Sequence, residues 1–442
     1  MVTTTNRKSI GIVGGGLLGM ILALRLRERG FQVSVLEASE RTGGLAKPTQ
    51  IGDYTWDQFY HVILMSDENL LDLINRLGLS DRLKSSRTKT GFLNDGHLYS
   101  MSNVMEFLAF PPLGLLDKMR LGFTIYYASK IKSPERLEKT LVEDWLKRFS
   151  GKHTFNKIWL PLLKSKLGEY YKITSASFIW ASIDRMYKAR RTGLKTEMFG
   201  YVDGGYATIL DRFQNVLESL GVRTLCQKPV IQVMDDNAHV KVKISTGETL
   251  EFDDVILTLP CDELPRVCPQ LSEHEKNRFE KVVYEGVICA IFIAKKNLAG
   301  YYVTNLTDGW IPFTGIIEMT AVVDGAYFGG NSLVYLPRYV SMEDPFWKKE
   351  DQEIQEEFVA ALEKIYPQFK REDILASKII RGKNVLPITT LNYSKEVLPP
   401  VQTSLKHVFV ANSAQIANGT MNVNEIVALA NKKAQEITEL VS

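Results

Sequence analysis

One stretch limits the fold of this chain more than any other: SIGIVGGGLLGMILALRLRERGFQVSVLE, residues 9–37. Its apolar opening reads as a buried parallel strand running into a turn in which Gly14, Gly16 and Gly19 give G-x-G-x-x-G. Leu17 onward reads as a helix closed by Gly30, and Phe31–Glu37 as a second strand. Such a strand–turn–helix–strand unit belongs to a parallel, doubly wound sheet. Gly14 permits the tight turn, Gly16 lets a pyrophosphate approach the backbone, and Gly19 lets helix and strand pack closely. The first helical amides, around Leu17 and Leu18, offer free donors in a positive field. Glu37 stands where an acid binds a ribose 2′-hydroxyl and repels a 2′-phosphate, so NADP is not expected here.

The residues after Glu37 narrow the ligand. Ala38 leads to Arg41, then Gly43, Gly44 and Leu45. A simple NAD site has no need of this extension. A longer dinucleotide such as FAD gains from a cation at its pyrophosphate and from a glycine pair that lets the chain pass close to the ribityl and flavin portion. The sequence GIVGGGLLGMILALRLRERGFQVSVLEASERTGGLA, with its E-x-x-x-R-x-G-G extension, resembles the FAD signature of the flavin amine oxidase superfamily. That group includes protoporphyrinogen oxidases, phytoene desaturases and, more distantly, UDP-galactopyranose mutases.

Composition fits a large globular protein. The chain has 442 residues, 45% hydrophobic and 24% charged, so two or three packed units are expected. A net charge of +3 argues against nucleic acid as the main partner, while leaving room for a local basic patch near a membrane. The four cysteines form no CxxC pair and no metal spacing with histidine, which reads as four reduced thiols in a cytoplasmic protein with no metal. Arg7 and Lys8 before the apolar run Ile10–Leu24 resemble a secretory leader. Regular glycines and the charged RLRERG continuation make it part of the folded chain instead.

Beyond the signature, the superfamily places an aspartate, a glycine pair and often a histidine near the flavin. Here Asp57 and His61 are kept, while Gln58, Phe59 and Tyr60 replace the glycines. Asp57 is therefore a cofactor candidate, a helix cap or a buried structural acid. Tyr60 and His61 are the catalytic candidates, with a structural role for His61 as the alternative. Residues 68–200 read as mostly helical, and in the resembled families this region caps the flavin. Within it, residues 104–132 are apolar and aromatic, with Lys118, Arg120, Lys130 and Lys132 interspersed. The stretch is too broken to span a membrane. It lies on a membrane surface, lines a channel, or forms helices packed in a substrate domain.

From Phe199 a glycine pair opens another helix, followed by a three-stranded meander that returns to a buried strand, Val255–Leu259. In the superfamily the backbone near the counterpart of Val230 meets the adenine. Residues 276–380 read as strands with one long helix, a sheet with one face over the flavin; Trp310, Phe313, Glu318, Tyr335 and Tyr339 are candidates to line its pocket. The chain ends in a strand, a loop and a helix beginning near Asn422. The superfamily ends alike, with a glycine–acid pair where this chain has Asn412 and Ser413; Met421 and Asn422 then approach the ring.

The expected architecture is thus α/β. A discontinuous Rossmann-type FAD-binding domain (1–95, 200–275, 380–442) joins an α+β substrate domain made of a helical cap (96–199) and a mixed sheet (276–379). The resemblance implies an FAD-dependent oxidoreductase that dehydrogenates a small apolar molecule by hydride transfer to flavin N5. Amine oxidation, a mutase-like non-redox reaction and a non-catalytic flavin scaffold are the alternatives.

Overall fold

The computed structural model describes residues 7–191 and 198–441; residues 192–197 of the expected helical stretch lie outside the described residues. Strand β1 (Ser9–Val13), helix α1 (Leu17–Glu28) and strand β2 (Gln32–Leu36) form the βαβ unit. The two strands seed a five-stranded sheet in the order Arg223–Leu225, β2, β1, Asp254–Leu257, Val408–Val410, parallel throughout. Its side chains alternate between two cores. Ile10, Ile12, Val33, Val35, Ile256 and Phe409 pack on α1 and on the helices Gly205–Ser219 and Val423–Val441. Val13, Leu36, Val255, Leu257, Val408 and Val410 pack on the antiparallel meander Val230–Asp235, Val240–Ile244, Thr249–Phe252. Burial on both faces explains why these strands read as nearly continuous apolar runs. The run before the meander breaks into two strands because Gln227 adopts φ +55° and Pro229 has no N–H to donate.

A second, seven-stranded sheet runs Ile374–Pro387, Tyr284–Ala294, Ser332–Ser341, Gly315–Glu318, Val303–Leu306, Thr90–Asn94, His97–Ser100. Only the pairing of Val303–Leu306 with Thr90–Asn94 is parallel. One face (Ile288, Ala290, Phe292, Val334, Leu336) is covered by the helix Asp351–Ile365. The other (Val287, Cys289, Ile291, Leu333, Tyr335) looks toward Trp56 and Phe59. This sheet takes strands from both sides of the expected 276–379 range, so Thr90–Asn94 and residues 380–387 group with it rather than with the parallel sheet. The expected helical stretch also contains strands Leu83–Arg87, Thr90–Asn94 and His97–Ser100. Asp95 and Gly96, both at positive φ, supply the two-residue turn that joins the last two.

Residues 104–191 form a helical layer around Phe110, Trp145, Phe155 and Trp159. No described helix is long and apolar enough to cross a membrane. All four cysteines are free.

Candidate active site

The loops at the carboxyl ends of the parallel strands converge where strand order reverses, between β1 and Asp254–Leu257, the usual position of a ligand crevice in such sheets. Gly14, at φ +111°, holds this corner: a Cβ on it would lie 2.2 Å from Thr258 Oγ1, which itself donates to Val13 O at 2.9 Å. A Cβ on Gly19 would lie 2.1 Å from Gly14 O, so this glycine is needed for the helix to seat on the turn. Gly16 differs. A Cβ there would meet nothing nearer than Gly44 Cα at 4.0 Å. Gly16 also caps α1 without a side-chain acceptor, so the first-turn amides, including those of Leu17 and Leu18, have no side-chain cap.

Gly43 and Gly44 lie against this turn. Gly43 N donates to Gly15 O at 2.8 Å, and the two glycines adopt φ +119° and +55°. A Cβ on Gly44 would sit 3.1 Å from Gly16 Cα. The crevice is therefore bounded on two sides by backbone without side chains. Glu37 stands at its edge, half-buried, accepting from Gly15 N at 2.8 Å and from Ser39 N at 2.9 Å. Arg41 pairs with Asp211 at 2.8 Å, both partners substantially exposed. Ala38 and Leu45 are also exposed. Val230 opens the meander, half-buried. This glycine-floored cradle, open at Gly16, with a helix terminus, an acid and a cation around it, fits the diphosphate and ribose of a dinucleotide.

Asp57 is buried and accepts from Tyr206 N at 2.9 Å, at the start of the Gly205–Ser219 helix. Burial raises its carboxyl to about 8, with the Tyr206 bond opposing. Tyr335, fully buried, donates its hydroxyl to Asp57 O at 2.6 Å and so pins this loop to the large sheet. The structure separates the neighbours Tyr60 and His61. Tyr60 reaches the sheet, its hydroxyl 2.8 Å from that of Tyr339, to which Lys166 donates at 3.0 Å. His61 turns to Tyr206, ring centres 5.0 Å apart. Burial lowers it to about 4, and its Nδ1 has no partner among the described residues.

Of the five pocket candidates, only Tyr335 and Tyr339 share this face. Phe313 packs on Phe358 across the sheet. Trp310 lines a surface cleft of about 470 Å³ beside Lys364, on the same far side. Glu318 closes a turn by accepting from the amides of Leu298, Ala299 and Gly300. At the C-terminus, Asn412 is buried and ties strand ends together by donating to Leu259 O at 2.9 Å. Ser413 is half-buried beside it. Asn422 caps the last helix by accepting from Glu425 N at 3.1 Å, and Met421 precedes it, half-buried.

Glu285 was not singled out by the sequence reading. It lies two residues from Val287 on the face that carries Tyr339 and Tyr335. It is fully buried, and neither carboxylate oxygen has a hydrogen-bond partner among the described residues. Burial lifts its carboxyl to about 8, opposed by the Lys166 ammonium. A lone acid in the apolar run VVYEGVICAIFIA was the signal available. Among the described residues no acid, histidine and cysteine group is arranged to hold a metal.

This geometry agrees with what the chain is similar to. Residues 19–422 match the model of the flavin containing amine oxidoreductases, and the chain belongs to that family. A 4,4'-diapolycopen-4-al dehydrogenase of Metabacillus indicus is 22% identical over 294 residues, covering 61% of this chain and 59% of that protein. The flavin-containing amine oxidase B of Mus musculus is 24% identical over 273 residues, 58% of this chain and 51% of that one. The chain thus matches little more than half the length of these curated relatives. Among solved structures, a protein of Exiguobacterium sp. 255-15 provisionally named a protoporphyrinogen oxidase superposes with a TM-score of 0.74 at 19% identity, over 97% of this chain and 98% of that one. Cyclohexylamine oxidase from Brevibacterium oxydans IH-35A gives 0.68 at 17%, over 98% and 99%. Both share the fold. The family is flavin-containing, in keeping with the dinucleotide cradle.

Proposed function

We propose that this chain is an FAD-dependent oxidoreductase that dehydrogenates a largely apolar small molecule, in the manner of a protoporphyrinogen oxidase or a polyene desaturase. The observation that carries the proposal is the pair of side-chain-free turns, Gly14–Gly16 and Gly43–Gly44, meeting beside Glu37 at the strand-order reversal. In this reading the amides at Gly16, Leu17 and Leu18 hold the diphosphate with Arg41, and Glu37 takes a ribose hydroxyl. Ala38 and Val230 border the adenosine; Leu45, Asn412, Ser413, Met421 and Asn422 border the ribityl and ring portion. The flavin, when bound, supplies a two-electron acceptor at N5. The chain contributes the wall. Tyr60, Tyr335 and Tyr339 form an aromatic surface that keeps water from the reacting bond. Protonated Asp57 holds the loop on its helix, and His61 is neutral at pH 7.

The domain division belongs to the same reading, with the cofactor part drawn back to 1–89, 200–275 and 388–442. A cytoplasmic location, with residues 104–132 at the inner face of a membrane, is proposed independently of the reaction. A second reading, amine oxidation, is favoured by Glu285, since a buried carboxyl without a partner is matched by a cationic nitrogen. Anaerobic mixing of the yellow protein with a polyene, a porphyrinogen and a primary amine tests both readings. Bleaching by a polyene or porphyrinogen supports the first and bleaching by the amine the second. A colourless protein that refuses added FAD ends both.

A further inference from the structure

The helix Leu115–Ala128 presents its apolar side to solvent. Only Leu121, Thr124 and Ala128 of it are buried. At about 100° per residue, these three and Asp117 share one arc of the helix. The opposite arc carries Leu115, Leu116, Met119, Phe123, Tyr126 and Tyr127, each between 39% and 72% exposed. The adjoining helix Val104–Ala109 adds Met105 at 75% and Leu108 at 50%. A surface helix ordinarily turns its charged side outward. Isolated exposed apolar residues need no explanation, but a face of this size on adjoining helices marks an interaction surface.

Within residues 104–132 the charges left at the edge of this face are of one sign. Both carboxylates of residues 104–132 are occupied elsewhere. Asp117 accepts from Thr154 Oγ1 at 3.0 Å and lies 3.0 Å from His153 Nδ1. Glu106 accepts from Ser102 N at 2.7 Å and from Ser100 Oγ at 2.6 Å. The cations stay at the rim: Lys118, which also donates to Leu108 O at 2.7 Å, and Arg120 fall on the two edges of the apolar arc, and Lys130 lies 5.2 Å from the Tyr126 ring centre. Lys132 follows, exposed. Apolar and aromatic residues bordered by lysine and arginine match the interface of an anionic bilayer, with rings at headgroup depth and ammonium groups on lipid phosphates. A second copy of the chain fits poorly, because a two-fold contact through this face would set the same cations against each other.

We propose that this face docks the protein on a membrane surface containing anionic lipid. The inference rests on the reading of an apolar substrate only in giving that surface a use, since an apolar substrate partitions into the bilayer. The test is co-sedimentation of the full chain with phosphatidylcholine vesicles, with and without phosphatidylglycerol. Met119→Glu with Phe123→Glu alters two exposed side chains, and an unchanged Tm establishes that the variant folds. The expected result is binding to the phosphatidylglycerol vesicles that drops about 10-fold or more in this variant. Binding also drops by about 5-fold for each of Lys118, Lys130 and Lys132 changed to Gln, and with added salt. Three outcomes overturn the proposal: wild-type protein left in the supernatant, equal binding to both lipid compositions, or a stable dimer that the double variant splits. Protein in the pellet and flavin absorbance are read separately. A colourless chain that sediments fails the oxidoreductase reading alone, and a yellow chain that does not sediment fails the membrane proposal alone.

Discussion

The proposed cofactor cradle and the proposed substrate wall of this protein are assembled in opposite ways. The cradle draws Gly14, Gly16, Glu37, Gly43 and Gly44 from one short segment, joined by contacts such as Gly43 N to Gly15 O and Gly15 N to Glu37. It uses backbone groups and the absence of side chains. The wall joins Tyr60 to Tyr339 and Asp57 to Tyr335, pairs 279 and 278 residues apart. It uses tyrosine hydroxyls delivered by strand register, one of them donating to the Asp57 main-chain carbonyl. A site made of backbone leaves a local spacing in the sequence; a site made of register leaves almost none.

The sharpest way to break this contrast is a pair of glycine substitutions. Gly19→Val drives a side chain into Gly14 O, 2.1 Å from the first carbon, and is expected to destabilise the fold by about 3 kcal/mol or more. Gly16→Ala adds a methyl group whose nearest neighbour is Gly44 Cα at 4.0 Å, in a backbone conformation that alanine adopts freely. The flavin-free Tm should stay within about 2 °C, while FAD affinity falls by about 10- to 100-fold through displaced phosphate–amide bonds. Thermal unfolding and FAD titration read both. Unchanged FAD affinity in Gly16→Ala means the cradle is not bounded by bare backbone. Glu37→Gln is the next step down. It keeps the shape but gives up the charge-assisted bond to a ribose hydroxyl, and FAD should bind about 10-fold more weakly in the same titration.

The contrast also explains what could be read in advance. The βαβ unit and the start of the last helix near Asn422 were legible because each depends on residues within a few turns of one another. The Thr90–Ser100 hairpin was not, although Asp95–Gly96 is a strong turn signal, because its strands are short and lie within a stretch dominated by helices. The pocket candidates divide for a physical reason. Aromatic texture marks a strand as half-buried but not which face is which. Phe313 and Tyr335 look alike in sequence, yet one packs on Phe358 and the other bonds Asp57 O. Tyr60 and His61 were paired as neighbours, but the chain turns at Tyr60, His61 N donating to Phe59 O at 2.9 Å, and the two rings go to different partners. Glu285 was passed over because its meaning comes from what it lacks among the described residues, a hydrogen-bond partner.

On the wall, Glu285 gives the clearest test. Burial raises its carboxyl from the ordinary range to about 8, so the folded chain holds this proton more tightly than the unfolded chain. The stabilisation is complete below the unfolded value, declines as pH rises, and is gone above about 8, where both states are ionised. Glu285→Gln cannot ionise. The Tm of the variant minus that of wild type should therefore grow between about pH 5 and pH 9. A difference that stays flat means a cation already neutralises Glu285 at neutral pH. In turnover the same variant should lower kcat/KM by about 10-fold or more for a cationic substrate and leave a polyene nearly unaffected, which separates the two proposed reactions.

The smallest effect expected belongs to Arg41, and its sign is more informative than its size. The bond to Asp211 is short, 2.8 Å, but its partners are 43% and 69% exposed. Such a pair contributes about 1 kcal/mol at most, so neither Arg41→Ala nor Asp211→Ala should move the flavin-free Tm by more than about 3 °C. FAD binding should respond in opposite directions. Removing Arg41 takes a cation from the diphosphate and weakens binding by about 5-fold. Removing Asp211 frees Arg41 from its competitor and strengthens binding by about 2-fold, both effects shrinking as salt is raised. If both substitutions weaken binding equally, Arg41 and Asp211 act only as a tie between the β2 loop and the Gly205–Ser219 helix, and the diphosphate depends on the glycine turns and the α1 amides alone.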